Sequence, residues 1–171
     1  LKDVERDRLH PQKRLRPLAS GGLGVAHAAV AMLLLATTAI AGGYWLGISF
    51  GTWLLLYLTL NVAYTLVLKH QPILDVMCIA SGFVIRAVAG VIAIAAVPSP
   101  WIVLCTMTLA FFVGFGKRRH ELTSLHDDAA KHRISLSGYS AQFLDLMMAV
   151  SAAAAMMSYA LYTVADETVE R

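Results

Sequence analysis

Acidic and basic side chains that could handle a phosphorylated substrate lie together at the start of the chain, in "DVERDRLHPQKRLRPLASG", residues 3–21. Asp3 and Asp7 are four residues apart, which in a helix places two carboxylates on one face, one turn apart. Carboxylates held so close repel each other unless a cation lies between them or one of them stays protonated, and such hard oxygen ligands suit Mg²⁺. The spacing is compatible with a metal site, but taken alone it favours the alternative, a solvated flank at a membrane edge with salt bridges to Arg6 or Arg8.

Basic side chains follow these acids directly. Lys and Arg donate hydrogen bonds to phosphate oxygens, and the candidates here are Arg8, Lys13, Arg14 and Arg16. A solvated flank at a membrane edge is the alternative for all of them. Arg86 lies inside an apolar run, where a charge is costly and usually faces a cavity or a partner. We expect it to line a phosphate-bearing cavity, with a structural ion pair as the alternative.

The rest of the chain is apolar enough to lie in a membrane. Of 171 residues, 58% are hydrophobic and 15% charged, against about 45–50% and about 25% in soluble domains. Residues 17–68 contain no charged side chain, which is enough for two spans of about 20 residues. The apolar runs are continuous and not alternating, so helices are favoured over a barrel. We predict an all-α, polytopic transmembrane helical bundle.

Breaks between the apolar runs divide this single membrane domain into five spans. The predicted spans are about 23–41, 53–68, 73–96, 101–116 and 141–164. Proline cannot extend a helix, so the sequence PSP at residues 98–100 ends the third span. The glycines expected to form the turn after the first span are Gly42, Gly43, Gly47 and Gly51. Residues 1–22 and 117–140 are expected to lie outside the membrane.

The basic residues sort to one side of this arrangement. Of the 14 Lys and Arg residues, all but Arg86 and Arg171 fall on the side of the opening segment. The positive-inside rule assigns that side to the cytoplasm. We therefore expect a multi-pass protein of the cell inner (plasma) membrane, and the net charge of +3 is no sign of a nucleic-acid binder. Cys78 and Cys105 lie inside spans and show no disulfide or metal spacing.

The opening string resembles the first aspartate-rich motif of the UbiA superfamily of intramembrane prenyltransferases, N-D-x-x-D-x-x-x-D, followed in many members by R-P-L-x-x-G. Asp3 and Asp7 match its second and third aspartates, and residues 16–21 match its end. Residues 64–90 and "GKRRHEL" at 116–122 resemble the branch that makes decaprenyl-phosphate phosphoribose. The pattern K-R-x-x-E-L stands where most members carry a second aspartate-rich motif.

The resemblance implies a membrane glycosyltransferase that depends on Mg²⁺, with Mn²⁺ as an alternative. It joins a polyprenyl (decaprenyl) phosphate to phosphoribosyl pyrophosphate at the cytoplasmic face and releases pyrophosphate, for cell-wall arabinan precursor synthesis. The resemblance assigns catalytic roles to Asp3, Asp7 and Glu121, and the two aspartates are expected to bind the metal. The residues expected to bind substrate are Lys13, Arg14, Arg16, Lys69, Arg86, Lys117, Arg118 and Arg133. The alternatives are a Glu121–Lys117 pair one helical turn apart and basic side chains that act only as membrane anchors.

The residue types suit this reaction. A phosphate monoester has a second pKa of about 6 and is an anion near neutral pH, so it needs no strong general base. The difficult step is the departure of pyrophosphate, whose charge a metal ion and preplaced Lys and Arg neutralise. Two other interpretations stay open: a prenyltransferase of the same fold with an aromatic acceptor, and a non-catalytic membrane or transporter segment.

The chain also departs from the family pattern. The family has nine spans, and five are predicted here. The Asn-Asp that begins the motif does not precede Asp3. We therefore expect a fragment that lacks two spans at each end and that need not be active alone. A homo-oligomer is compatible with the sequence.

Overall fold

The computed structural model describes residues 13–124 and 138–165. Its five long helices are α1 (Val25–Leu46), α2 (Ile48–Leu66), α3 (Leu74–Ala93), α4 (Pro100–Ser124) and α5 (Ala141–Val164). Short 3-10 helices at Lys13–Leu15 and Leu68–His70 precede α1 and α3. All five long helices are long and apolar enough to cross a membrane. This confirms the predicted all-α transmembrane bundle with about five spans.

Each long helix packs mainly against the next one along the chain. Because neighbours run in opposite directions, the start of α3, the end of α4 and the start of α5 meet at one end of the bundle. We call this the basic end, and Lys69, Asp75, Lys117 and Tyr139 mark it. Of the charged residues in the described part of the chain, only Arg86 lies in the middle of a long helix.

The glycines between α1 and α2 are used differently from the prediction of one turn over all four. The chain reverses at Gly47 alone, where φ is 153°, a conformation that L side chains rarely adopt. Gly42 and Gly43 lie inside α1 and Gly51 lies inside α2. A Cβ at Gly43 or Gly51 would approach a side chain of the facing helix to 2.8 or 2.6 Å. The missing side chains therefore let the two helices pack closely.

Helix α4 continues past the predicted end of its span at residue 116 and ends at Ser124. The polar sequence 117–121 is therefore helical, and successive side chains point in different directions about 100° apart. The helix begins at Pro100, a position in the first turn where the missing N–H of proline costs nothing. The proline-rich break between the third and fourth spans thus lies where the next helix starts.

The largest fully buried side chains lie at the basic end, between α3, α4 and α5. The core cluster consists of Val76, Phe115, Tyr139 and Leu144. Gly114 of α4 lets α3 come close, because a Cβ there would lie 2.7 Å from the Cγ1 of Val76. In contrast, α1 and α2 each bury a single residue, and in both it is a glycine.

Candidate functional site

Asp75 is the centre of a buried hydrogen-bonded group at the basic end. It lies in the first turn of α3, where the positive end of the helix dipole favours a carboxylate. Its Oδ1 accepts hydrogen bonds from the Val76 N–H at 2.8 Å and the Tyr139 hydroxyl at 2.6 Å. Its Oδ2 accepts one from Arg118 Nε at 2.7 Å. The carboxylate is completely buried, and these donors replace the water that it has lost.

Arg118 extends this group from Asp75 to the surface. Its side chain is 1% exposed, and its Nη1 donates to Glu121 Oε2 at 2.6 Å. The Glu121 side chain is 24% exposed, so the group reaches the edge of the protein there. We call Asp75, Arg118, Glu121 and Tyr139 the Asp75 network. The formal charges of these four residues are those of two carboxylates and one guanidinium, which sum to −1.

Tyr139 joins the start of α5 to the start of α3. Its hydroxyl accepts a hydrogen bond from the Ile73 N–H at 2.6 Å while donating to Asp75. Ile73 has φ of 67°, a left-handed conformation that is costly for a β-branched residue. The hydrogen bond therefore supports a strained turn. Burial and, second, the hydrogen bond to Asp75 raise the pKa of the Tyr139 phenol, so it keeps its proton at neutral pH.

The three consecutive basic residues of α4 have three different surroundings. Arg118 faces α3 through Asp75. Arg119 pairs with Asp145 of α5, from Nε at 2.7 Å and from Nη2 at 3.3 Å, and this pair is partly exposed. Lys117 is exposed and makes no hydrogen bond or ion pair with any described residue. Of the three, Lys117 is the cation available to a ligand, and the Glu121–Lys117 pair considered from the sequence does not form.

The other predicted site residues are only partly covered by the described ranges. Lys69 lies in the 3-10 helix directly before α3, and Arg14 and Arg16 lie in the segment that leads into α1. Lys13 is placed by its backbone alone. Asp3, Asp7 and Arg133 lie outside the described residues. Within the described ranges no three His, Cys, Asp or Glu side chains are placed to hold a metal ion, so the Mg²⁺ site stays a prediction that depends on the opening motif.

Arg86 is separated from the basic end. It comes eleven residues after Asp75 on the same helix, which is about 16 Å at roughly 1.5 Å per residue. Its guanidinium lies 4.5 Å from the ring centre of Phe83 and 5.5 Å from that of Tyr57, distances typical of cation–π contacts. It forms no ion pair in the part of the chain that is described. The structure does not bring Arg86 to Lys117, and its role in substrate binding stays a prediction.

Asp75 was not among the predicted site residues, although the sequence carried a signal for it. An acid inside an apolar run needs a partner, and the basic residues 117–119 are expected at the same membrane edge. What the sequence did not show is which of three neighbouring cations pairs with it. Side-chain direction on α4 decides that choice, and it depends on the continuation of the helix beyond residue 116.

Comparison with known proteins gives consistent matches. Residues 1–168 match the UbiA prenyltransferase family. The chain is 36% identical over 161 residues to the decaprenyl-phosphate phosphoribosyltransferase of Mycolicibacterium smegmatis, covering 94% of this chain and 51% of that protein. Proteins of the same name from Mycobacterium tuberculosis and Corynebacterium glutamicum are 33% and 35% identical, over 95% and 94% of this chain and 54% and 49% of theirs. The chain thus spans about half the length of these curated relatives.

Proposed function

This chain belongs to the UbiA prenyltransferase family, as its motifs indicated, and from that membership we propose that it takes part in a phosphoribosyl transfer. The donor is phosphoribosyl pyrophosphate, the acceptor is a polyprenyl phosphate, and pyrophosphate is released. The names of the relatives support this choice of substrates and of decaprenyl phosphate as the acceptor. We also propose that the product of this transfer is a precursor for cell-wall arabinan.

One structural observation carries the proposal: the exposed Lys117 at the end of α4, beside a network that ties α4 to α3. An ammonium group preplaced at a bundle end offers a contact for pyrophosphate that exists before the substrate binds. The apolar helices leave the polyprenyl chain in the membrane while its phosphate reaches the polar edge. We propose that this edge faces the cytoplasm, following the positive-inside rule.

The proposed reaction is a displacement at C1 of the ribose. An oxygen of the polyprenyl phosphate, already anionic near neutral pH, forms the new bond to C1. The bond from C1 to the pyrophosphate oxygen breaks, and pyrophosphate leaves with the bonding electrons. Lys117 lowers the energy of this step by neutralising charge that develops on the leaving group.

A divalent ion fits this scheme through residues of the opening motif. Asp3 and Asp7 would hold Mg²⁺ or Mn²⁺, and bound metal would supply further charge neutralisation of pyrophosphate. Of the described residues, two carboxylates reach the surface at the basic end, and both are already paired, Glu121 with Arg118 and Asp145 with Arg119. Glu121 belongs to the matching motif, and in this proposal it contributes as a supporting third acid.

The test is transfer of labelled phosphoribose to polyprenyl phosphate by the detergent-purified protein, expressed from its complete coding sequence. Lys117→Met should lower kcat/KM by about 10²–10³, the typical loss for one preplaced charge contact. Asp7→Asn should lower turnover steeply, with partial recovery at raised Mg²⁺. Lys117→Arg is the matched control, because it keeps the charge, and it should retain most activity.

Three outcomes would contradict the proposal. Turnover of both charge-removing variants within a few-fold of the parent would remove Lys117 and Asp7 from the chemistry. Transfer from a polyprenyl diphosphate to an aromatic acceptor, without use of phosphoribosyl pyrophosphate, would identify the other activity of the fold. Absence of transfer with either donor would indicate a non-catalytic membrane segment.

A further inference from the structure

We propose that Asp75 is a positioning residue of the pyrophosphate site, which fixes Lys117 of α4 relative to the turn that carries Lys69. This inference rests on the proposed function, since that function supplies the ligand. Asp75 does not contact substrate itself in this account. It acts through Arg118 on one side and through Tyr139 on the other, and it is the one carboxylate that both of them share.

The first connection sets the orientation of α4. Arg118 Nε and Asp75 Oδ2 are 2.7 Å apart and almost completely shielded from water, where a charge-assisted hydrogen bond is strong and directional. Consecutive residues of a helix are about 100° apart around its axis. With Arg118 directed to α3 and Arg119 to α5, Lys117 is turned to the side away from α5, where it is exposed.

The second connection holds the segment between α2 and α3. The Tyr139 hydroxyl bonds both Asp75 and the N–H of the strained residue Ile73. Gly138 packs directly on Pro72, and a Cβ there would overlap the proline ring. Lys69 lies just before this turn. The two basic residues are therefore placed by interactions that meet at one carboxylate.

Stability alone is a weak explanation for this arrangement. Replacing a buried ion pair by apolar side chains of similar volume is often neutral or stabilising. What the pair provides is a defined geometry between helices, and here it does so beside the exposed Lys117. The Arg119–Asp145 pair, one residue along the same helix turn, is partly exposed and belongs to a class that contributes little. It is therefore a matched control.

The experiment compares Asp75→Asn with Asp145→Asn in the detergent-purified protein. Each variant removes one carboxylate charge from a pair on the same turn of α4. Binding of inorganic pyrophosphate is measured by calorimetry, and KM for phosphoribosyl pyrophosphate by the transfer assay. Asp75→Asn should weaken pyrophosphate binding about tenfold, because it releases Lys117 from its position. A misplacement of about 1 Å can lower a reaction rate by about a hundredfold. Asp145→Asn should stay within about twofold of the parent.

A double-mutant cycle separates positioning from a general loss of structure. If Asp75 fixes Lys117 relative to Lys69, adding Asp75→Asn to Lys117→Met should change pyrophosphate binding less than about twofold, because the relative placement of the two basic residues matters only while both contact the ligand. Multiplicative losses in the double variant would overturn the proposal. If Asp75→Asn fails to elute as a single species, Tyr139→Phe takes its place, with an expected loss of about threefold to fivefold that also vanishes when Lys117→Met is present.

The outcomes distinguish this inference from the proposed function. A parent protein that does not transfer phosphoribose, but whose pyrophosphate binding follows the predicted pattern, would reject the function and retain the positioning role. A parent that transfers phosphoribose, with Asp75→Asn binding pyrophosphate normally or Asp145→Asn equally impaired, would reject the positioning role and retain the function.

Discussion

The junction of α3, α4 and α5 and the pair α1–α2 are built from similarly apolar helices, but the junction also uses polar side chains to connect one helix to another. In α1 and α2, hydroxyl groups donate to carbonyls of their own helix, as in Thr38 to Leu34 and Thr59 to Leu55. In the junction, Arg118 and Tyr139 donate across helix boundaries to Asp75. A hydrogen bond within a helix satisfies a polar group and does not restrict how that helix packs against its neighbours. A hydrogen bond between two helices fixes their relative position.

Burial follows the same division. The junction contains the core cluster around Val76 and Phe115, whereas the buried residues of α1 and α2 are Gly43 and Gly51. All five helices carry the apolar surface of a membrane span, and the junction in addition holds specific polar groups at defined distances. The lesson is that membrane-spanning character is spread over every helix, whereas site geometry is specified by a few polar residues at the ends of α3, α4 and α5.

The largest expected effect separates two arginines that both lie in long apolar helices. Arg118→Met leaves Asp75 buried without its cation, and breaking a buried pair in this way costs about 3–5 kcal/mol. Arg86→Met removes a charge that stacks on Phe83 and Tyr57 and leaves no carboxylate stranded. Thermal unfolding in detergent should show a much larger fall in Tm for Arg118→Met.

The double variant Arg118→Met, Asp75→Asn tests whether the fall in Tm comes from a buried carboxylate left without its cation. With both charges gone, part of the lost Tm should return, because no ionised group remains buried alone. Equal falls in Tm for the Arg118 and Arg86 single variants would show that the Asp75 network stabilises the bundle no more than the contacts of Arg86 do.

A smaller effect is expected from alanine at two helical glycines. A Cβ at Gly114 would lie 2.7 Å from Val76 Cγ1, and overpacking of this kind costs about 1–3 kcal/mol. At Gly42 of α1 no atom lies within 4 Å of the added Cβ, and alanine favours the helix by up to about 1 kcal/mol. Gly114→Ala should lower Tm and Gly42→Ala should leave it unchanged or raise it. A fall of similar size in both variants would contradict the contrast between the two regions.

Much of the fold could be predicted because membrane spans depend on long apolar runs, which the sequence displays directly. The number of spans followed from composition and proline breaks. The extension of α4 did not, because residues 117–121 are polar and in sequence a helix that leaves the membrane resembles a loop. The roles of Gly43 and Gly51 were also hidden, since glycine serves turns and close packing alike.

The candidate site was predictable only in part. Lys117 and Glu121 were identified through a motif, and the structure places both at the basic end. Arg86 was grouped with them because it is charged, yet its position along α3 separates it from Lys117. Asp75 and Tyr139 matter through contacts across 43 and 64 residues of sequence. Such long-range pairing follows from helix packing and has no local signature.

The most direct test of the central claim is ligand protection of a thiol beside Lys117. In a background of Cys78→Ala and Cys105→Ala, His120→Cys places a thiol at an exposed position about one turn from Lys117. Ser49→Cys, exposed at the opposite end of the bundle, is the control. We predict that phosphoribosyl pyrophosphate slows labelling at position 120 severalfold and leaves position 49 unchanged. Equal labelling rates at position 120 with and without the ligand would contradict a pyrophosphate site at the basic end.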